Sequence, residues 1–125
     1  MIFTKLNHDL ASRIKFVPEP EEIHLLNKAI DAATQSVQRF RVGAACSQGS
    51  AFNTTDLHAE THMLLARVGE WTPGRDATVA VARLGRKWDW RCSYPCASCA
   101  NQLRSKGFRK VVCFDEGGQP VTLAL

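Results

Sequence analysis

Thr78-Val79-Ala80-Val81-Ala82-Arg83-Leu84 is the stretch that most limits the choice of fold. It is rich in β-branched and small apolar residues, and it is short enough to be a strand rather than a helix. A nearly continuous apolar run of this length is typical of a strand buried on both faces, at the centre of a sheet. We therefore expect a sheet that is covered by helices on both faces.

The segments on either side of this strand predict the element order αββαβαββ. Helices are predicted over residues 20–38, 57–68 and 95–107, with a further short helix at 9–15, and strands over 41–46, 50–53, 110–114 and 121–125. The expected fold class is α/β, a three-layer α/β/α sandwich around one mixed five-stranded sheet. The last connection has six residues, 115–120. This length predicts that the last two strands are antiparallel, because a parallel crossover needs about a dozen residues or more.

Length and composition fit one globular domain over residues 1–125. The chain is 45 % apolar and 22 % charged, which is typical of such domains. It contains no apolar run near the roughly 20 residues that a membrane helix needs. Asn7, His8 and Asp9 interrupt the N-terminal apolar residues, so no signal peptide is predicted. We expect a cytoplasmic protein that has no membrane partner.

The positive charge is concentrated in the C-terminal third of the chain. The net charge is +4, with +5 carried from Arg83 onward and −1 by the first 82 residues. A basic region can attract an anionic substrate, either a nucleotide or a nucleic-acid strand. The alternative is an ordinary solvated surface.

Two motifs carry the chemistry: His58-Ala59-Glu60 and Pro95-Cys96-Ala97-Ser98-Cys99, with 37 residues between His58 and Cys96. One imidazole and two thiolates can hold a Zn²⁺ ion and leave its fourth position open. A carboxylate two residues from the histidine can move protons beside that position. We therefore predict one zinc ion per chain, with His58, Cys96 and Cys99 as ligands and Glu60 as the catalytic residue.

Other uses of these residues remain open. The five cysteines are an odd number, which argues against a secreted disulfide scaffold, although a C-x-x-C pair can also be a redox centre. A closed structural zinc site in a non-catalytic module would need a fourth ligand, for which His62 and Cys92 are the candidates. Cys46 and Cys113 lie in apolar runs and are predicted to be buried packing residues.

The order and spacing of the two motifs resemble the cytidine deaminase superfamily, and the similarity runs from about Pro20 to Leu125. The resemblance implies the cytidine deaminase-like fold and a zinc-dependent hydrolase that acts on the C–N bond of a cyclic amidine, converting cytosine to uracil. It implies that Glu60 protonates the ring nitrogen N3 and later the leaving amine. It also implies that the backbone N–H of Ala59 holds the base carbonyl, and that groups near Ser93 and Tyr94 meet the exocyclic amine.

A second segment is similar to one particular branch of this superfamily. Arg39-Phe40-Arg41-Val42-Gly43-Ala44-Ala45 is similar to the start of the first strand in small cytidine deaminases that act on free nucleosides. In that branch a Phe packs beside the base and an Asn bonds the sugar, and Phe40 and Asn53 occupy the matching places. The branch also implies a homo-oligomer, a tetramer or a dimer. The expected substrate is cytidine, deoxycytidine or a related nucleoside or nucleotide.

Two departures keep other substrates open. Asn53-Thr54-Thr55 lacks the Glu that usually follows the Asn in nucleoside enzymes, and the basic segment 85–94 contains Trp88 and Trp90. Trp90 is therefore a further candidate substrate contact, since tryptophans of this kind stack on bases in single-strand binders. A hydrophobic lid or a subunit contact is the alternative use of both tryptophans. The competing functions are deamination of cytosine in single-stranded DNA or RNA, and deamination of another base or nucleoside analogue.

Overall fold

The computed structural model describes residues 6–55, 58–66, 78–85, 87 and 89–125. The helices in this part are α1 (His8–Ala11), α2 (Pro20–Thr34), α3 (Ala59–Ala66) and α4 (Ala97–Ser105). The strands are β1 (Arg41–Cys46), β2 (Gly49–Phe52), β3 (Thr78–Leu84), β4 (Trp90–Arg91), β5 (Lys110–Phe114) and β6 (Pro120–Ala124). None of the helices in these ranges combines the length and the apolar character needed to cross a bilayer.

The strands form one mixed sheet with the order β2-β1-β3-β5-β6, and β4 pairs with β3 beside this path. The pair β3–β5 is parallel, whereas the other neighbouring strands are antiparallel. The prediction of a mixed sheet with residues 78–84 at its centre is therefore confirmed. The antiparallel pairing of the last two strands, with Lys110 opposite Ala124, is confirmed as well.

Helices cover both faces of the sheet. Successive side chains of each strand point to opposite faces, so each strand contributes residues to the packing on both sides. On one face Leu26 and Ala29 of α2 pack on Ala80 and Ala82 of β3 and on neighbouring strand residues. On the other face Leu10, Met63 and Leu103, from α1, α3 and α4, share a core with residues such as Val79, Val81 and Val111. We call these sides of the sheet the α2 face and the α3/α4 face.

The α2 face depends on a glycine in β1. A Cβ atom added at Gly43 would lie 1.9 Å from the carbonyl oxygen of Ala29 and 2.5 Å from the backbone nitrogen of Ala33. Both atoms belong to the backbone of α2, which cannot rotate away as a side chain can. Gly43 therefore sets how closely α2 approaches the sheet.

The N-terminal elements differ from prediction mainly at their ends. The helix expected over 20–38 ends at Thr34. Ser36 forms a turn there instead. The Ser36 hydroxyl accepts a hydrogen bond from the backbone N–H of Gln38 and donates one to the carbonyl of Asn53. The helix expected at 9–15 is the shorter α1, capped by the side chain of Asn7. The strand expected at 50–53 occupies Gly49–Phe52.

The C-terminal elements show one larger difference. Segment 85–94, expected to be a loop, contains β4, which pairs with the end of β3. The helix expected over 95–107 occupies Ala97–Ser105, and the final strand occupies Pro120–Ala124 rather than 121–125. The helix expected over 57–68 is observed as Ala59–Ala66, while residues 57, 67 and 68 and the predicted break at 73–74 lie outside the described residues.

Candidate metal centre

The three predicted metal ligands come together where two helices begin. His58 immediately precedes α3, Cys96 is the N-cap residue of α4, and Cys99 lies three residues further on. The Nδ1 atom of His58 lies 3.2 Å from the Sγ atom of Cys99 and 3.8 Å from that of Cys96. All the potential ligand atoms of this group lie within 4.8 Å of one another. The side chain of Thr61 in α3 donates a 2.9 Å hydrogen bond to Gln102 in α4, which links the two helices beside the group.

This arrangement fits a metal ion. Zn–N and Zn–S bonds at tetrahedral angles imply nitrogen–sulfur separations of about 3.6 Å, and the two observed separations fall on either side of that value. Imidazole and thiolate donors suit zinc, and thiolates also accept copper(I) and iron. His58, Cys96 and Cys99 could therefore bind a metal ion, and the geometry does not select the metal.

The two thiols of the group differ in acidity. A hydrogen bond from Cys99 lowers the pKa of Cys96 to about 5. The same hydrogen bond, together with burial, raises the pKa of Cys99. Cys96 is the more exposed residue of the pair.

Neither alternative fourth ligand belongs to the group. The Nδ1 atom of His62 lies 2.8 Å from the carbonyl oxygen of Phe52, and its ring packs edge-on against the Phe52 ring. Cys92 is half-buried near the group, but its sulfur is not part of it. The described residues thus supply three donors. Cys46 and Cys113 are fully buried in the core, as predicted.

Glu60 lies in the first turn of α3 and is only 4 % exposed. Burial raises the pKa of its carboxyl group, and the nearby Cys96 adds to this effect, whereas the charge of His58 and hydrogen bonds oppose it. A carboxyl group in such a place holds a proton more readily than one in water.

A cavity of about 200 Å³ adjoins the group, and His58, Glu60 and Cys96 contribute to its wall. Five of the predicted substrate contacts also line it: Phe40, Asn53, Ala59, Ser93 and Tyr94. Four further residues line the cavity: Val42, Val81, Arg83 and Cys92. None of them was predicted to contact the substrate, and Cys92 was predicted only as a candidate fourth metal ligand. The alternation of β3 could have indicated Val81 and Arg83, because residues two apart in a strand share a face.

The structure does not bring Trp90 into this cavity. Trp90 pairs with Leu84 in the sheet, and its ring stacks on that of Phe114 with centroids 5.3 Å apart and planes 7° apart. Phe114 belongs to the core on the α2 face, whereas the cavity opens on the α3/α4 face. The predicted contact between Trp90 and the substrate therefore finds no support in this arrangement, and Trp88 lies outside the described residues.

Asn53 lines the cavity, but its side chain already makes two hydrogen bonds to the backbone, one to Val42 in β1 and one to Phe40, just before β1. Its Nδ2 atom donates a 2.7 Å hydrogen bond to the carbonyl of Phe40, and its Oδ1 atom accepts a 2.9 Å bond from the N–H of Val42. One N–H and one oxygen lone pair remain for another partner. Asn53 thus fixes the backbone on both sides of Arg41 and thereby positions Phe40.

The side chains of Ser93 and Tyr94 are also occupied by the protein. The Ser93 hydroxyl donates to the carbonyl of Val81 and accepts from the N–H of Phe114. The Tyr94 hydroxyl donates to the carboxylate of Glu116. The backbone N–H of Ser93 donates a 3.0 Å hydrogen bond to the carbonyl of Phe114. Any contact of Ser93 with a substrate therefore falls to its backbone carbonyl, and Tyr94 offers the cavity its ring.

Comparison of the chain with protein-family models gives no match, and comparison with curated proteins gives no significant match. The resemblance to cytidine deaminases therefore depends on the two motifs and the segment at 39–45. Of what it implies, the structure shows a His-Cys-Cys group that could bind a metal ion.

Proposed function

We propose that the protein is a zinc-dependent hydrolase that deaminates cytosine to uracil in a free nucleoside or nucleotide. The observation that carries this proposal is the placement of the buried Glu60 in the same cavity wall as His58 and Cys96. A merely structural metal site needs no buried acid next to it, and it is normally closed by four protein ligands. Here the described residues supply three.

Zinc is the metal we propose, with His58, Cys96 and Cys99 as its ligands. Bound there, Zn²⁺ supplies a nucleophile at neutral pH by lowering the pKa of a water molecule in its fourth position to about 7. The start of α3 and the start of α4 both face the site, so the helix dipoles favour the thiolate forms that zinc requires.

Glu60 moves the protons of the reaction. In the overall reaction water and cytosine give uracil and ammonia, so one group must accept a proton from water and deliver protons to N3 and to the leaving amine. An efficient acid–base residue has a pKa near the working pH, and burial shifts Glu60 in that direction. Its position two residues after His58 holds the carboxyl group beside the metal site without making it part of the ligand group.

The cavity wall suits a flat heteroaromatic ring. Val42, Val81 and the ring of Phe40 give it apolar sides. Ala59 is fully buried in the first turn of α3, where backbone N–H groups have no partner within the helix. Its N–H is therefore suited to the base carbonyl, while the backbone of Ser93 is suited to the exocyclic amine.

The test is a substrate panel followed by ultraviolet spectroscopy. Zinc-loaded protein is incubated with cytosine, cytidine, deoxycytidine, their monophosphates and adenosine, and ammonia release is measured in parallel. We expect turnover of at least one cytosine compound. Glu60→Gln keeps the shape of the side chain, so it should abolish turnover and still bind one zinc ion. Absence of product from every cytosine compound would refute the proposal, and loss of zinc in Glu60→Gln would refute the role of Glu60.

The rival functions have less support. Deamination of a polynucleotide was suggested partly by Trp90, and that side chain lies on the α2 face. A closed zinc module needs a fourth ligand, which neither His62 nor Cys92 supplies. The expected homo-oligomer and the cytoplasmic location remain predictions, and the former is tested by light scattering of the zinc-loaded protein.

A further inference from the structure

We propose that Arg83 binds the phosphate of the substrate, so that the preferred substrate is a cytosine nucleoside monophosphate rather than the nucleoside. This inference rests on the proposed function, and it adds a specificity-determining residue on β3 to the proposed site.

Arg83 lies in the wall of the same cavity as His58 and Glu60. It follows Val81 by two residues, so both side chains point to the α3/α4 face. Its guanidinium group lies 4.9 Å from the centre of the Phe40 ring. A guanidinium at this distance from an aromatic ring is held by cation–π attraction, which orients the group without neutralising its charge.

The charge of Arg83 has no anionic partner among the residues that the structure describes. The ion pairs found there involve other cations, namely Arg13, Arg91, Arg104 and Lys110. Burial makes the charged form of Arg83 more costly and lowers its pKa. A partly buried guanidinium without a carboxylate is unusual, because its five donors are normally matched by a carboxylate or phosphate.

The described cavity wall also favours a negatively charged ligand near Arg83. Glu60, at the metal site, is the one carboxylate among the described lining residues. Arg39 is a second cation close to the same ring, with its guanidinium 5.9 Å from the centre of the Phe40 ring, but it does not line the cavity. The proposed function places Phe40 beside the base, so Arg83 is within reach of a substituent on the attached sugar. A phosphate monoester is the anion that suits a planar, multiple donor.

We favour a mononucleotide over a polynucleotide because Trp90, the tryptophan that the structure describes in segment 85–94, does not line the cavity beside Phe40 and Arg83. Trp90 follows β3 closely in sequence, but it stacks on Phe114 at the α2 face. A strand of nucleic acid that entered the cavity would therefore not meet this aromatic side chain.

Arg91 provides a matched control. It lies directly opposite Arg83 in the β3–β4 register and carries the same charge, but it is paired with Asp89 at 2.8 Å. Replacing either arginine with glutamine lowers the net charge by the same amount. A difference between the two variants therefore reports direct contact rather than general attraction of anions.

The experiment is titration calorimetry on zinc-loaded Glu60→Gln protein, which binds substrate without consuming it. The ligands are cytidine, CMP, dCMP and a cytosine-containing oligonucleotide. We expect CMP or dCMP to bind at least about tenfold more tightly than cytidine. Adding Arg83→Gln should remove that preference and leave the cytidine affinity within about twofold, whereas Arg91→Gln should keep the preference. Arg83→Lys should show an intermediate preference, since it keeps the charge and loses the planar fork.

Several results would overturn the inference. Equal affinity for cytidine and its monophosphates would show that no phosphate contact exists, while turnover of cytidine would leave the proposed function standing. Equal losses in Arg83→Gln and Arg91→Gln would assign the preference to general charge. Tight binding of the oligonucleotide alone would assign the site to a polynucleotide. Failure to bind or turn over any cytosine compound would refute the proposed function, and this inference with it. The cytidine affinity and the thermal midpoint of each variant show whether it is folded.

Discussion

Replacing Asn53 with alanine tests whether this residue is mainly a structural clamp or a substrate contact. The side chain makes two hydrogen bonds to the backbone, to the carbonyl of Phe40 and from the N–H of Val42, at 2.7 Å and 2.9 Å. A hydrogen bond of this kind contributes about 0.5–1.5 kcal/mol, and more where a buried partner is left unsatisfied. Since both partners lose their bond, Asn53→Ala should lower the free energy of unfolding by about 2–3 kcal/mol.

Urea and thermal unfolding of the zinc-loaded protein measure this change. For a domain of this size, about 2–3 kcal/mol corresponds to a fall of roughly 6–12 °C in the thermal midpoint. Asn53→Asp is the matched control, because it keeps an oxygen for the N–H of Val42 and lacks the donor for the carbonyl of Phe40. We expect its stability to lie between those of the wild type and Asn53→Ala at neutral pH.

Measuring the affinity of Asn53→Ala for cytosine and for cytidine distinguishes the two roles of Asn53. If Asn53 acts through Phe40, Asn53→Ala should weaken the binding of free cytosine and of cytidine by similar factors, because both pack beside that ring. A change in unfolding free energy below about 0.5 kcal/mol, combined with weaker binding of cytidine alone, would refute this reasoning. It would then identify Asn53 as a sugar contact, which is what the resemblance to cytidine deaminases implies.

Three further predictions concern the fold, the metal and the pH dependence of stability. Gly43→Ala should destabilise the protein by about 3 kcal/mol or more in urea unfolding, because its Cβ would overlap the backbone of α2. Cys99→Ser should lose most of its zinc in elemental analysis, whereas Cys92→Ser should keep one equivalent, since only the former sulfur belongs to the ligand group. The hydrogen bond from Tyr94 lowers the pKa of Glu116, so it stabilises the protein above the unfolded pKa of about 4.3 and is lost as the pH falls through the folded value. The stability difference between wild type and Tyr94→Phe, measured by urea unfolding from about pH 6 to pH 3, should therefore shrink toward the acid end; a constant difference would show that this bond does not set it.

The group of His58, Cys96 and Cys99 was predictable from the sequence in part, because the spacing of its two cysteines is local. Cys96 and Cys99 are three residues apart at a helix start, so their sulfurs must lie close together. His58 precedes a second helix whose start faces the same place, and Glu60 follows it by two residues. Only the approach of the two helix starts depends on the whole fold. The central strand at 78–84 was also predictable from local sequence, since its composition and its length together indicate a strand buried on both faces.

The substrate side of the cavity was less predictable, because it depends on register and on how hydrogen bonds are shared. Trp90 was expected near the substrate, and its place opposite Leu84 sends its ring to the other face of the sheet. Arg83 was counted only as one of several basic residues, and its contact with Phe40 follows from the neighbouring position of β1 and β3. No local pattern shows that the amide of Asn53 is occupied by backbone groups.

The two faces of the sheet have different roles in the proposed function. On the α3/α4 face, the residues proposed for the reaction differ from those proposed to select the substrate. The α2 face is closed by tight packing against Gly43, and it contributes no described residue to the metal group. On the opposite face the proposed reaction uses the starts of α3 and α4, whereas Val42 of β1 and Val81 and Arg83 of β3 line the cavity. A substitution at Arg83 changes a side chain that points into the cavity, and it leaves the backbone hydrogen bonds of β3 and the ligands in place. Substrate preference should therefore respond to this position without loss of zinc, and a variant of Arg83 that lost its metal would contradict that separation.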